Sequence, residues 1–296
     1  MKQEKEFISY LEKRFTKDKH IMGHVYNVWH FNEWLLANQI SDLIRITVNE
    51  IEDYAEYLIA KNLKISTVNV RLNSLRKYFE CLIELGYIIK NPARNIHKGR
   101  RLRKVVENPL DSLTLDNLYQ SFEMYLDQRP KLPNIGAKHF ELANQRYKLI
   151  ASLMIYQGLD TGELDMLHVC DLDMKKGTIY ISGKVQRKSR VLKLETFQIL
   201  PMIQYLQLLP PTQEKLFGIK VQLNMNHLLN YLKGIEPMIK NAEHIRQSRM
   251  MIWVSVLNIR EAQYNIGHKF VSSTEAYAQQ NTKELVDEIN QIHLFK

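Results

Sequence analysis

Separated stretches of the sequence carry side chains that can do chemistry together. They are Ile245-Arg246-Gln247-Ser248, then Gly267-His268, then Tyr277 nine residues beyond that histidine, with the turn pair Gly183-Lys184 far upstream. A fourth stretch, Tyr156-Gln157-Gly158-Leu159, leads through Asp160 and Thr161 into Gly162-Glu163-Leu164. A phenol is a latent nucleophile, a guanidinium is a forked donor that fits phosphate oxygens, and an ammonium or imidazole moves a proton. Singly, each residue has a plainer use. A tyrosine on a helix packs, an arginine lines a solvated face, a histidine satisfies a helix end and a lysine tops a turn. Their order and spacing as a set single them out.

Charge indicates the partner class. Lysine and arginine number 41 against 32 aspartate and glutamate, a formal balance of +9 that suits a polyanion. Arg187, Lys188 and Arg190 cluster on the same turn as Lys184, and Arg249 follows Arg246 by three residues. The turn cluster reads as a phosphate-backbone contact or as a solvated turn. The only cysteines, Cys81 and Cys170, form no CxxC pair, and the ten histidines show no HxxxH pair, so neither a disulfide framework nor a metal site is expected. No apolar run approaches the ~18 residues of a membrane span, and a cytoplasmic soluble protein is the expectation.

With 296 residues, two domains are expected to position these side chains. Over 1–95, apolar residues recur at three- and four-residue steps, predicting four short helices in an all-α bundle. One stripe is Val25, Val28, Trp29, Leu35 and Leu36. A second opens at the capping-box sequence Thr47-Val48-Asn49-Glu50 and runs through Ile51, Leu58 and Ile59. A third runs Val68, Leu72, Leu75, Phe79, Leu82 and stops at Gly86. Asn91-Pro92 ends the bundle, and 96–105, with Arg100, Arg101, Arg103 and Lys104, reads as a basic DNA-binding linker. Residues 106–296 are again mainly helical, with Leu115, Leu118, Phe122 and Tyr125 on one side and a long apolar helix over about 144–157. Only between Gly177 and Leu194 does the pattern turn strand-like, around the basic hairpin. The fold class is therefore mainly α, in two domains, with a small β-hairpin.

With these motifs in place, nearly the whole chain resembles the tyrosine recombinase (phage integrase) family. Ser66-Thr67-Val68, Leu75-Arg76-Lys77-Tyr78-Phe79 and the ending Gly86-Tyr87-Ile88-Ile89-Lys90-Asn91-Pro92-Ala93 are similar to that family's SAM-like core-binding domain. Residues 106–296 are similar to its catalytic domain, of the DNA breaking-rejoining type. The resemblance implies that Lys184 is the hairpin lysine, Arg246 the second arginine, His268 the later histidine and Tyr277 the nucleophile. It implies a site-specific recombinase that cleaves and rejoins double-stranded DNA of a mobile element through a 3′-phosphotyrosyl link, without cofactor or metal. Arg246 would clamp non-bridging oxygens, Lys184 would protonate the 5′-oxygen, and His268 would donate to a non-bridging oxygen or assist the tyrosine. The two domains would lie on opposite faces of the duplex. Self-association on DNA into a tetrameric synapse is implied as well, with 282–289 resembling the family's C-terminal docking helix.

Two positions depart from the pattern. The first arginine of the family's site is here Asp160, and the histidine three residues before Arg246 is here Glu243, with His244 one step out of register. Asp160 also reads as an N-cap for the short helix that follows. Arg187, Lys188, Arg190, His244 and Arg249 are the candidates to compensate or to contact DNA. The alternatives are a catalytically impaired relative acting as an architectural or regulatory DNA-binding factor, and a relaxing topoisomerase with the same tyrosine chemistry.

Overall fold

A computed structural model describes residues 3–15, 18–40, 46–98, 106–130, 136–184 and 187–280. The linker residues Arg100, Arg101, Arg103 and Lys104 and the segment 282–289 lie outside the described residues. The chain divides into two compact units, Met1–Lys104 and Val105–Lys296.

The first unit is built from α1 (Glu4–Glu12), α2 (Asp18–Ala37), α3 (Val48–Ala60) and α4 (Ile65–Glu84) around an aromatic-rich core of Phe7, Phe31, Tyr54, Tyr78 and Phe79. Two of these helices run 20 residues, longer than the short helices expected. The stripes hold with local corrections. Ile21, Val25, Val28, Phe31 and Leu35 face the core, while Trp29 (44% exposed) and Leu36 (58%) face out. Each follows a core residue directly and so sits about 100° round the helix from it. Ile59 beside Leu58 is exposed for the same reason. The capping box at α3 forms as read: the Thr47 hydroxyl accepts from Asn49 N, and the Glu50 carboxylate accepts Thr47 N at 2.7 Å. Past α4, the Arg76 guanidinium donates to the carbonyls of Ala93 and Ile96, tying the chain after Asn91-Pro92 back onto the bundle.

The second unit holds α5 (Ser112–Gln128), α6 (Ala137–Tyr156), the single turn α7 (Thr161–Leu164), a three-stranded antiparallel sheet, α8 (Thr196–Leu208), α9 (Val221–Ile235), α10 (Ala242–Val256), α11 (Ile259–Ile266) and a helical stretch over 271–280. The sheet order is β1 (Leu172–Asp173), β2 (Thr178–Ile181), β3 (Arg190–Lys193). β1, only two residues long, carries no periodicity that a sequence could reveal. In β2 and β3, Ile179, Ile181, Arg190 and Leu192 face inward, and Tyr180 and Val191 face out. One inward position is thus an arginine. α6 starts seven residues ahead of the apolar run because its first two turns carry mostly polar side chains; two of its polar residues, Asn144 and Lys148, are buried, Lys148 on Asp127 at 2.6 Å. α10 is buried on nearly every side, from His244 through Met251, which makes it the axis of this unit.

The capping box yields a stability test. Thr47→Ala removes the hydroxyl cap and should lower stability by about 1 kcal/mol, whereas Val48→Ala, at an exposed first-turn position, should change it by under about 0.5 kcal/mol. Urea unfolding followed by far-UV circular dichroism measures the difference.

Candidate active site

α6 ends at Tyr156, and Gly158 takes a left-handed conformation (φ 56°) that reverses the chain and turns its carbonyl onto the Arg246 guanidinium. Two residues on, Asp160 caps α7 as its sequence suggests. The Asp160 carboxylate accepts Glu163 N at 2.7 Å and the Glu163 carboxylate accepts Asp160 N at 3.0 Å. This reciprocal box sets two carboxylates side by side on one short turn.

Three arginines from distant parts of the chain converge on them. Arg246, from α10, lies 3.0 Å from Glu163 and also donates to Ile266 O at 3.1 Å. Arg190, from β3, meets the other Glu163 oxygen at 2.9 Å. Arg187 lies 3.2 Å from Glu163 and also pairs with Asp160, and Lys184 Nζ sits 3.5 Å from Asp160 Oδ1. Exposure separates them: the Arg190 and Arg246 side chains are 1% exposed and Arg187 is 23% exposed.

The hairpin is docked through its backbone. Lys184 and Arg187 exchange both main-chain hydrogen bonds, Lys188 N donates to Gly267 O at 2.9 Å, and Arg187 bridges His268. Two glycines permit this approach. A Cβ on Gly183 would lie 2.9 Å from Ser189 N, and one on Gly267 (φ 80°) would lie 2.6 Å from an Arg190 nitrogen.

The cluster polarises what lies inside it. Burial alone would push the Glu163 carboxyl up, but Arg246, Arg190 and Arg187 outweigh it and hold the pKa at about 2. Arg187 is likewise kept charged, the Glu163 and Asp160 carboxylates outweighing its partial burial. His268 is pushed down to about 4, first by burial and then by Arg246, Arg187 and Arg190. Its imidazole is therefore neutral at neutral pH, with Nδ1 3.0 Å from the buried Thr274 hydroxyl.

Tyr277 lies on the 271–280 helix with its ring stacked beside that of His268, centroids 6.0 Å apart, and packs on Met250, Ala262 and Ile266. Burial and the Glu243 charge raise its pKa, and Arg246, a hydrogen bond from Gln247 and Arg187 oppose the rise. Gln247 also donates to Glu243 at 3.2 Å, so the residue standing at the expected histidine position reaches the tyrosine through an amide. Three residues beyond Tyr277, the Gln280 amide takes both backbone groups of Val106 at 2.7 and 2.8 Å, which pins the helix that carries the phenol.

Lys184, Arg246, His268 and Tyr277, read from the sequence, thus come together, joined by Arg187 and Arg190. His244 and Arg249 do not join them. His244 is buried with Nε2 against the carbonyls of Glu107 and Asn108, and Arg249 donates to Ile155 O at 2.6 Å and lies over the Tyr156 ring. Both stand on faces of α10 that look at other elements, so neither supplies charge to the cluster. Lys188 is exposed. Glu163, Thr274, Gln247 and Gln280 carry no role that sequence reasoning assigns. Glu163 had a signal, since a glutamate three residues after an aspartate cap is a capping box, but the box does not reveal the arginines it collects.

Residues 5–86 match the family described as phage integrase, N-terminal SAM-like domain. Over 245 residues the chain is 26% identical to the tyrosine recombinase XerC of Vibrio vulnificus (strain YJ016), covering 79% of this chain and 72% of that one. It is 24% identical to a tyrosine recombinase of Pseudothermotoga lettingae, covering 94% and 93%. Residues 5–86 thus carry a phage integrase N-terminal SAM-like domain, and the chain is similar over most of its length to tyrosine recombinases. Among solved structures, the recombinase XerH bound to palindromic difH has the same fold, with a TM-score of 0.68 at 17% identity over 91% of this chain and 79% of that one. Among the described residues the fold is mostly helical with one small antiparallel sheet, as the sequence pattern predicts.

Two measurements test the electrostatics of this cluster. Glu163→Gln leaves three arginines without their shared anion and should destabilise the second unit by about 3–5 kcal/mol in denaturant unfolding. The His268 ring should titrate near pH 4 by NMR. Because that value is below the ~6.5 of an unfolded histidine, its contribution to stability is full above about pH 6.5 and is lost as pH falls toward 4.

Proposed function

We propose that this protein is a site-specific DNA recombinase whose nucleophile is Tyr277. The observation that carries the reading is the packing of Tyr277 against His268 at the edge of an arginine cluster whose cations outnumber its carboxylates. Four cations, Lys184, Arg187, Arg190 and Arg246, face two carboxylates, Asp160 and Glu163, so the cluster suits a phosphodiester and suits better the extra charge of a pentacoordinate phosphorane.

In the cleavage step the Tyr277 oxygen bonds to phosphorus and the bond from phosphorus to the 5′-oxygen breaks. The phenolic proton passes to the neutral His268 imidazole, and the Lys184 ammonium gives a proton to the departing oxygen. A phosphate entering the cluster offsets the three arginines that depress His268 and so raises its basicity when it is needed. The phosphotyrosyl bond keeps the energy of the broken linkage, and religation reverses each transfer without metal or nucleotide triphosphate. Double-stranded DNA is the substrate, self-association on DNA into a tetrameric synapse is part of the reading, and the duplex belongs to a mobile element acted on in the cytoplasm. Among the described residues no helix is long and apolar enough to cross a membrane.

A second reading, a DNA-binding relative without cleavage, is favoured by one observation, the Asp160 carboxylate paired with Lys184 and Arg187. A suicide substrate nicked beside the cleavage site separates the two. The recombinase should trap a covalent adduct that Tyr277→Phe abolishes with little change in DNA affinity, while an adduct that persists in Tyr277→Phe excludes this nucleophile. A wild type that binds and forms no adduct supports the second reading.

DNA affinity itself is tested in the linker. Replacing Arg100, Arg101, Arg103 and Lys104 by neutral residues should flatten the dependence of log K on log salt by about 0.9 for each phosphate no longer neutralised. An unchanged slope places those charges away from DNA.

A further inference from the structure

The tyrosine recombinase site needs a guanidinium where this chain has Asp160, and an aspartate alone repels a phosphate. The cluster nevertheless contains a guanidinium at that spot. Arg187 is carried by the hairpin, yet its head group rests on the Asp160 carboxylate and 3.2 Å from Glu163. We propose that Arg187 is the missing phosphate-binding guanidinium of this site, delivered from the hairpin, and that Asp160 has become the carboxylate that seats it. The proposal rests on the recombinase reading given above.

Four observations lead to Arg187 rather than its neighbours. Arg190 and Arg246 are fully buried: Arg190 bonds Glu163 through one nitrogen, its Nε and Nη2 having no hydrogen-bond partner, and Arg246 bonds Glu163, Gly158 O and Ile266 O. Arg187 alone of the three retains exposed surface from which to meet a DNA backbone. Its main chain is fixed relative to the acid Lys184 and the base His268, since it exchanges hydrogen bonds with the first and bridges the second. Finally, Asp160 has its own position fixed by the capping box, so the seat is rigid while the arginine side chain is long. A carboxylate on one edge of a guanidinium orients the fork and leaves the other edge for an anion, since the group carries five donors in one plane. Asp160 is thus a positioning residue, and the negative charge at 160 is matched by the arginine it holds.

Single-turnover cleavage of the nicked suicide substrate at saturating DNA tests this. Arg187→Ala should cleave at least about tenfold more slowly than wild type, while duplex affinity shifts by less than about threefold. Arg187→Lys, which keeps the charge and loses the fork, should fall between them. Returning a guanidinium to the backbone position in the double variant Asp160→Arg with Arg187→Ala should bring the rate back to within about threefold of wild type. Thermal unfolding of each variant accompanies the rates; if Arg187→Ala does not fold, the lysine and double variants decide. Wild-type cleavage by Arg187→Ala overturns the proposal and leaves Tyr277 chemistry standing, and so does a double variant as slow as Arg187→Ala. An inactive wild type that Asp160→Arg activates also overturns it, marking Asp160 as a lesion. If neither wild type nor Asp160→Arg forms an adduct while both bind DNA, the recombinase reading itself falls.

Discussion

The carboxylate of Glu163 is the hub on which the second unit turns. It is 1% exposed and accepts from Arg246 and Arg190 on its two oxygens, with Arg187 close to one of them. An isolated buried carboxylate is costly, and so is each of these guanidinium groups; only the assembly is tolerable. The elements it joins are α7, the strand β3, the hairpin and the central helix α10, and through Ile266 O and Gly267 the end of α11. Remove the anion and the inward-facing arginine of β3 has no reason to face inward.

Under the reading proposed for the cluster, that arrangement explains how a site for a polyanion can be built inside a folded domain. Positive charge gathered for a phosphate would repel itself before DNA arrives. Glu163 and Asp160 supply internal counter-charge, so the cations are held at short range in the free protein, and the surplus of positive charge is left for the substrate. Burial and charge together set the protonation of the cluster's neighbours: burial first and then the three arginines keep His268 neutral, while burial and Glu243 keep Tyr277 protonated against the opposing pull of Arg246 and Arg187.

Positioning is achieved by backbone as much as by side chains. Gly158 turns a carbonyl onto Arg246, Gly183 and Gly267 let the hairpin lie against the end of α11, and the Gln280 amide ties the tyrosine helix to Val106. Val106 directly follows the basic stretch 96–105. The chain at Val106 is thereby held to the helix that carries Tyr277, the nucleophile we propose.

The amino-acid sequence by itself determined the helical bundle of the first unit, the capping box at Thr47, the cap at Asp160 and the strand pair of the hairpin, while the set Lys184, Arg246, His268 and Tyr277 came from the resemblance to a family. The first four rest on local physics: periodicity, caps and strand-like patterning around a turn. Stripe edges such as Trp29 and Leu36 went astray because neighbouring residues on a helix point about 100° apart. What the tertiary structure decided is who meets whom. That Arg187 and not Arg249 joins the cluster follows from β-hairpin docking and from the face of α10 on which Arg249 stands, and that Glu163 is a shared anion follows from contacts between residues 27 and 83 positions apart. Charge pairing between distant segments leaves no period in the sequence, because Coulomb attraction depends on separation in space and not along the chain.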